Sequence, residues 1–277
     1  MIPIDLKALI SPMALSAIAL VAAPSLAHDA TARYIANEGV AISHDEQTII
    51  FDAFFEQSYG QYAVPDSELQ QSIQHGEPPF NNVVAVFVSH VHGDHFSPKP
   101  TIEFLRNNPS VALFGPEQVR EVMLESGIAA NDEVMKQLRT FAIAPEDDEV
   151  RAEINNLIIE AVAIPHSGNR PHIQNYSWRV TMGNEKTVMH FGDADTAVSN
   201  FSRHLAYFKA RATHAAFPPY WFLSEPSGQL ILRDIISAGN VIGIHVPARA
   251  AGNGDKWRAE YGGDLFTDPG QTRTISD

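Results

Sequence analysis

A short segment of the chain holds most of the residues that could do chemistry. Three histidines and one aspartate lie within six positions, at His90, His92, Asp94 and His95. Residues 83–88 before them are all apolar, which predicts a buried strand that ends where the histidines begin. Imidazole nitrogens and carboxylate oxygens are ligands that zinc prefers, so this segment predicts a metal site. The alternative, a polar loop that is merely rich in histidine, leaves the ligand spacing unexplained.

Other candidate ligands follow other apolar runs. His166, Asp193 and His245 each stand where a predicted strand ends, and Asp52 closes an earlier one. Open sheets collect their ligands at the carboxyl ends of strands, so these residues could meet at one edge. The 277 residues include no cysteine, which excludes disulfides and thiolate ligands. Every metal ligand must therefore be His, Asp or Glu.

Hydrophobic periodicity and turn residues predict the elements that would position these groups. The predicted strands cover residues 34–42, 48–54, 83–88, 111–114, 157–164, 177–181, 187–190, 213–217 and 241–244. The predicted helices cover residues 101–106, 116–124, 198–208 and 230–238. We expect the tail after Arg249 to be loosely folded, with Trp257 and Tyr261 packing it against the domain. Strands at hairpin spacing, followed by strands mixed with helices, indicate two sheets covered by helices.

The first 27 residues are typical of an export signal. Lys7 precedes an apolar stretch at 8–23, and Ser25 and Ala27 fit a small-x-small cleavage site. This pattern predicts a periplasmic or secreted protein that begins near His28; the alternative is an uncleaved amphipathic anchor. Residues 28–277 then form one domain, without a membrane span and with an oligomeric state that the sequence leaves open.

The formal net charge is −14, and the predicted signal contributes none of it. Because an acidic surface repels phosphate backbones, this charge disfavours a nucleic-acid partner. A small-molecule substrate is the expected partner.

The order of the candidate residues resembles the metallo-β-lactamase-fold hydrolases. The matching features are His-x-His-x-Asp-His from position 90, a distant His, then Gly-Asp, and a late His. The resemblance runs from about residue 33 to residue 247. It implies a four-layer αββα sandwich in which His90, His92 and His166 hold one metal ion. Asp94, His95 and His245 would hold a second ion, and Asp193 would bridge the two.

The resemblance also implies a chemistry. Two divalent ions, zinc by default and manganese or iron with the same ligands, would generate a hydroxide nucleophile and polarise the substrate. Asp94 would serve both as ligand and as catalytic residue. Asp52 fits either a hydrogen-bonding role behind the metal loop or the capping of a turn.

The aspartate at the bridging position, Asp193, narrows the class of hydrolases that the chain resembles. β-Lactamases of this fold generally lack that aspartate, and many use a cysteine that this chain does not have. The chain therefore resembles the broader hydrolase branch, which includes thioesterases, lactonases and phosphodiesterases. The stretches Pro165-His166-Ser167-Gly168 and Asn175-Tyr176-Ser177 are most similar to a bacterial lactonase-like group.

Several further residues have both a functional and a structural interpretation. His172 could protonate a leaving group or lie in an exposed loop. Tyr220, in the aromatic run 217–222, could donate its hydroxyl to substrate or belong to a flap packed on the core. Asp195 could orient a ligand or begin a helix. For His190 and His214 the sequence pattern favours structural roles.

We therefore expect an exported binuclear metal-dependent hydrolase that acts on an ester-type bond in a lactone, a carboxylic ester or a phosphoester. Two alternatives share the fold. One is a metal-binding protein without turnover, and the other is a nuclease. Stoichiometric metal without hydrolysis would favour the first alternative, and salt-sensitive RNA binding would favour the second.

The export signal makes a prediction that the exported protein can test. Signal peptidase should cleave after Ala27, because small residues stand at both recognition positions. Intact-mass spectrometry of the exported protein should give an amino terminus near His28. Retention of Met1 in that protein would contradict the prediction.

Overall fold

The computed structural model describes residues 28–276, so the predicted signal at 1–27 lies outside the described residues. Strands form in this part where β-branched and aromatic residues alternate or run together between turn residues. In chain order the strands are β1 (Ala30–Ala36), β2 (Gly39–His44), β3 (Gln47–Phe51), β4 (Val83–Phe87), β5 (Ala112–Pro116), β6 (Leu138–Phe141), β7 (Val150–Ile154), β8 (Leu157–Ala163), β9 (Tyr176–Met182), β10 (Lys186–His190), β11 (Ala215–Phe217), β12 (Asn240–Gly243), β13 (Asp264–Leu265) and β14 (Thr272–Ile275).

Helices occupy the connections and the outer faces. In chain order they are α1 (Ser67–Gln74), α2 (Pro98–Asn107), α3 (Glu117–Glu125), α4 (Glu133–Gln137), α5 (Val198–Ser202), α6 (Leu205–Lys209), α7 (Trp221–Ser224), α8 (Pro226–Leu230) and α9 (Gly254–Tyr261). A π-helical segment, Ile231–Ile236, continues α8. Within residues 28–276, no helix combines the length and apolar character that crossing a membrane requires.

The strands form two seven-stranded sheets, with the orders β14-β1-β2-β3-β4-β5-β6 and β13-β12-β11-β10-β9-β8-β7. One core lies between the sheets and contains large side chains such as Phe51, Phe87, Trp178 and Phe217. A second core joins the first sheet to α2 through Phe104, and a third covers the outer face of the second sheet. These layers form the αββα sandwich that the resemblance implied.

Strand direction brings the candidate ligands to one edge. In the second sheet, β8 and β10 are both antiparallel to β9, while β10, β11 and β12 are parallel, so three ligand-bearing strands point the same way. In the first sheet, β3 and β4 are also parallel. The two sheets are joined at this edge because the Tyr176 amide donates to Ser89 O at 3.0 Å and Trp178 Nε1 donates to Val88 O at 3.1 Å.

Two predicted elements are interrupted in the structure. The strand predicted at 34–42 is wrong, because Asn37 and Glu38 form a tight turn between β1 and β2. Asn37 has a φ of 51°, a left-handed conformation that asparagine tolerates better than most residues. The helix predicted at 198–208 is split into α5 and α6 at Arg203 and His204.

The loosely folded tail is a further error. Residues after Arg249 form α9, β13 and β14, and β14 pairs antiparallel with β1 along the edge of the first sheet. Pairing satisfies the backbone groups that β1 would otherwise expose at a sheet edge. The packing role of Trp257 is confirmed, since the residue is buried in the third core.

Candidate metal centre

The metal loop, residues 88–96, continues directly from β4. After His90 and His92 the chain makes one helical turn, in which the amides of His95 and Phe96 donate to His92 O at 3.0 and 2.9 Å. This turn brings Asp94 and His95 back toward the two preceding histidines. A Cβ on Gly93 would lie 2.8 Å from Gln57 Cγ, so any other residue at this turn would displace the Gln57 side chain.

Four candidate ligand atoms form a first group. His92 Nδ1 lies 2.9 Å from His90 Nε2 and 3.0 Å from His166 Nε2. Asp193 Oδ2 lies 3.3 Å from His166 Nε2 and 4.0 Å from His90 Nε2. Ligand atoms held at 2.0–2.1 Å in a tetrahedron around zinc are about 3.3 Å apart, so this group can hold one ion.

A second group lies on the other side of Asp193. Its Oδ1 is 3.2 Å from His245 Nε2 and 3.5 Å from His95 Nε2. Asp94 Oδ2 is 3.6 Å from His245 Nε2 and 3.7 Å from His95 Nε2. The two oxygens of one carboxylate therefore face two separate sets of nitrogens, as expected of a bridging group.

The chemistry of these atoms fits divalent cations. His95 Nε2, His245 Nε2 and Asp193 Oδ1 are buried and have no hydrogen-bond partner among residues 28–276. A native protein rarely leaves three converging buried polar atoms unsatisfied, and a cation bound between them would satisfy all three. All seven predicted ligands thus lie in two groups whose spacing and chemistry suit metal ions.

The protonation states of the first group agree with this fit. Burial and the nearby His166 ring lower the pKa of His92 to about 4. Burial, together with the His95 ring, lowers the pKa of His90 well below the usual value. Both rings are therefore neutral at pH 7, and neutral imidazole is the form that binds a metal.

In the second group, burial and the neighbouring charges shift the pKa values in opposite directions. Burial favours protonation of Asp193, but the His245 and His95 rings outweigh it and hold its pKa well below the usual range. Burial lowers the pKa of His95, while the carboxylates of Asp193, Asp52 and Glu38 outweigh that effect and raise it well above the usual value. The second group therefore attracts positive charge to its centre.

The first residue of the loop that carries Asp193 has no room for a side chain. Gly192 has a φ of 56°, and a Cβ on it would lie 2.4 Å from Asn175 Oδ1 and 2.6 Å from Ser89 Cβ. Asn175 Oδ1 accepts a hydrogen bond from the Asp193 amide at 3.0 Å, and its Nδ2 donates to Ile164 O and Phe191 O. Asn175 thus fixes the ends of two ligand-bearing strands together.

Asp52 holds the metal loop from behind, and the hydrogen-bonding interpretation of this residue is confirmed. Its Oδ1 accepts from the Ser89 amide at 2.7 Å, and its Oδ2 accepts from Ser89 Oγ. His95 Nδ1 lies 2.9 Å from the same Oδ2. A proton on Nδ1 leaves Nε2 of His95 free to bind an ion, so Asp52 selects the ligand tautomer.

The turn between β1 and β2 contributes residues that the sequence did not indicate. Asn37 Nδ2 donates to Asp94 O at 2.9 Å, and the His245 amide donates to Asn37 O at 2.9 Å. Glu38 is fully buried, and its Oε2 lies 3.7 Å from His95 Nδ1 and from His190 Nε2. The Asn-Glu-Gly sequence of this turn was the available signal, but it lies within an apolar run that resembles one strand.

Three secondary candidates have structural contacts. His190 stacks on Phe51 at 5.0 Å, and its Nε2 lies 3.0 Å from Glu38 O. His214 Nδ1 accepts from the Thr187 amide at 2.9 Å. Asp195 Oδ1 accepts from the Ala197 amide at 2.6 Å in the turn that leads into α5, but the N-cap of that helix is Ala197 and not Asp195.

The two further catalytic candidates lie outside the two ligand groups. His172 is exposed, and its carbonyl accepts a hydrogen bond from Gln118 Nε2 at 2.7 Å. Tyr220 packs against Trp221, Trp257 and Tyr261, and of these rings Trp221 contacts His245 at 5.3 Å. Catalytic roles for His172 and Tyr220 remain predictions.

One aromatic residue at the centre was missed. The Tyr62 ring packs edge-on against His245, with 4.3 Å between ring centroids. Burial and the charges of Asp193 and Asp94 raise the pKa of Tyr62 above the usual value. Its position depends on a long connection between β3 and α1, for which the sequence shows no periodic signal.

Comparison with known families agrees with this architecture. The sequence pattern of the beta-lactamase superfamily domain matches residues 47–212, which is more than half of the chain. The chain therefore belongs to this superfamily, and its fold is that of the metallo-β-lactamases. No curated protein sequence matches it at a significant level.

Solved structures of diverse function share the fold. A metallo hydrolase from Ignicoccus hospitalis superposes with a TM-score of 0.59 at 14% identity, covering 90% of this chain and 100% of that one. An isothiocyanate hydrolase from Delia radicum gut bacteria gives a TM-score of 0.56 at 14% identity, with 89% and 100% coverage. CmlA, a diiron β-hydroxylase from Streptomyces venezuelae, gives 0.52 at 12% identity, with 92% and 55% coverage. These identities establish a common fold and leave the reaction open.

The contacts of Asp52 predict a specific effect on the second group. In Asp52→Asn an amide NH₂ replaces one acceptor oxygen, so Ser89 or His95 loses its partner and His95 loses its fixed tautomer. We expect the affinity for the ion at His95 to fall roughly 10- to 100-fold, and the affinity for the ion at His90 to fall less, because Ser89 Oγ lies 2.9 Å from His90 Nδ1. Competition with a chromophoric chelator measures both affinities.

The matched control is Asp45→Asn, an exposed aspartate in the β2–β3 turn, at the opposite end of β3 from Asp52. It should bind both ions as the wild type does. Unchanged affinity at both ions in Asp52→Asn would show that this carboxylate does not position His95.

Proposed function

We propose that this chain is an exported, binuclear metal-dependent hydrolase that acts on an ester-type bond of a small molecule. The substrate centre would be a lactone, a carboxylic ester or a phosphoester. The observation that carries the proposal is the placement of Asp193, whose two carboxylate oxygens face separate sets of histidine nitrogens at 3.2–3.5 Å. Membership of the beta-lactamase superfamily supports the same chemistry.

The residues would divide the work between two ions. His90, His92 and His166 would hold one ion, and Asp94, His95 and His245 the other, with Asp193 shared between them. When bound, the ions would supply Lewis acidity toward a substrate oxygen and lower the pKa of water. Zinc suits this nitrogen-rich set best, and manganese or iron can use the same ligands.

The protein's own groups would then handle protons and orientation. The Asp94 carboxylate, fixed by Asn37 Nδ2 at 3.3 Å, would accept the proton that the attacking water releases. His172, on the exposed loop that follows His166, is our candidate proton donor to the leaving group. Tyr220 and the neighbouring Trp221 would form an apolar wall beside His245 that receives the substrate.

The export part of the proposal rests on residues 1–27, where a charge precedes an apolar stretch and a small-x-small site.

A substrate panel tests the reaction class. Residues 28–277 reconstituted with zinc or manganese would be offered a lactone, a thioester, an aryl ester, a phosphodiester and a β-lactam. We expect turnover of an ester-type substrate that a chelator abolishes and metal restores. Asp193→Ala should bind fewer than two ions and lose at least about 100-fold in kcat/KM, because both groups lose a shared ligand.

The control for this substitution is Asp234→Ala, which removes an exposed carboxylate paired with the neighbouring Arg233. It should retain full activity and metal content, because exposed ion pairs contribute little. Full metal content without turnover of any panel substrate would instead favour a non-catalytic metal-binding protein. Selective turnover of the β-lactam would contradict the ester assignment.

A further inference from the structure

A segment between β3 and α1 crosses the metal centre. We call residues 56–64 the strap. At one end the Gln57 amide donates to Gly93 O in the metal loop at 3.0 Å. At the other end Tyr62 forms an isolated bridge with Pro247, and the Ala248 amide donates to Gln61 O at 2.6 Å. The strap therefore links the first ligand motif to the loop that carries the last ligand.

This anchoring places one phenol at the centre. The half-buried Tyr62 ring contacts His245 edge-on, with 4.3 Å between centroids and 76° between ring planes. Within residues 28–276, the Tyr62 hydroxyl forms no hydrogen bond. A phenol carries one O–H donor, which makes this hydroxyl available to a substrate oxygen.

Tyr220 is less suited to this role. Its ring packs among Trp221, Trp257 and Tyr261, and of these three rings it is Trp221 that contacts His245. Tyr62 contacts a candidate ligand directly. It also lies on a segment fixed at both ends, so its hydroxyl can be held in position without reorganisation during reaction.

We propose that Tyr62 donates a hydrogen bond to the substrate oxygen that gains negative charge during hydrolysis, on the His245 side of the centre. The proposal rests on the proposed function and adds a substrate-contacting residue to it. It commits the substrate to a carbonyl or phosphoryl oxygen at that position, because such an oxygen gains negative charge and accepts more strongly as the nucleophile adds to the carbon or phosphorus.

The test compares Tyr62→Phe with the wild type, both loaded with metal. Phenylalanine keeps the ring contact with His245 and removes only the hydroxyl. We expect kcat for the panel ester to fall roughly 10- to 100-fold, since a hydrogen bond to a developing charge is lost. KM should change by less than about threefold, because the bond strengthens mainly in the transition state. Metal content and thermal midpoint should match the wild type.

Tyr207→Phe is the matched control. Tyr207 lies in α6 with the Arg179 guanidinium 3.8 Å above its ring, and its buried hydroxyl also lacks a partner among residues 28–276. Loss of this hydroxyl should leave kcat and KM unchanged. Tyr62→Ala, which removes the ring as well, reports separately on packing against His245 through its metal content.

A binding measurement separates this proposal from the proposed function. Inorganic phosphate presents the same acceptor oxygens without reacting, and calorimetry can titrate it into metal-loaded protein. We expect Tyr62→Phe to bind phosphate about 5- to 20-fold more weakly than the wild type. That result would support the Tyr62 contact even if no panel substrate were hydrolysed, in which case the proposed function alone would fail.

The contrary outcomes are equally distinct. Wild-type kcat and wild-type phosphate affinity in Tyr62→Phe would overturn the proposal. So would a loss confined to Tyr62→Ala and accompanied by lower metal content, because that pattern describes a packing role. A metal-loaded wild type that neither hydrolyses the panel nor binds phosphate would contradict both proposals.

Discussion

Three buried aspartates, Asp52, Asp94 and Asp193, meet at one edge of the two sheets, beside the buried Glu38, whose pKa burial raises well above the usual value. Negative charge removed from water is costly unless nearby positive charge and hydrogen bonds compensate it. Asp52 obtains that compensation from Ser89 and His95, and the Asp94 carboxylate obtains part of it from Asn37 Nδ2, which donates to its Oδ2 at 3.3 Å. Asp193 has neighbouring imidazoles but one buried oxygen without a hydrogen bond. The surrounding structure positions these acidic residues and supplies the groups that compensate their charge.

The fold meets that requirement with rigid elements rather than flexible loops. Parallel strands in both sheets point their carboxyl ends to the same edge, and Trp178 and Tyr176 join the sheets there. Gly192 and Asn175 then fix the orientation of Asp193. A Cβ on Gly192 would collide with its neighbours, and Asn175 Oδ1 accepts a hydrogen bond from the Asp193 amide. Sites supported by packed strands hold their geometry closely, which catalysis by positioned charge demands.

Local sequence signals were sufficient for much of this centre. The end of one strand and one turn at a glycine determine the relative positions of four candidate ligands, because these lie within six positions of the sequence. They are His90, His92, Asp94 and His95. The later candidate ligands could be predicted because each follows an apolar strand. The strands predicted at 177–181 and 187–190 form a hairpin in the structure, and its turn residues Gly183 and Asn184 both adopt a positive φ.

What sequence reasoning missed depends on contacts between distant residues. Glu38 lies within an apolar run, and only the pairing of β1 with β2 reveals its turn. Tyr62 reaches the centre because Pro247 and Gly93 hold the strap, and no local pattern encodes those contacts. The pairing of β14 with β1 joins opposite ends of the chain. Such long-range pairing has no periodic signature, so tertiary structure alone shows it.

The central claim is that Asp193 bridges two metal ions. Anomalous X-ray diffraction at the absorption edge of the reconstituted metal, on crystals of residues 28–277, tests it most directly. We expect two anomalous peaks, one beside Asp193 Oδ2 and His92, and the other beside Asp193 Oδ1 and His245. A single peak, or two peaks that do not share Asp193, would contradict it.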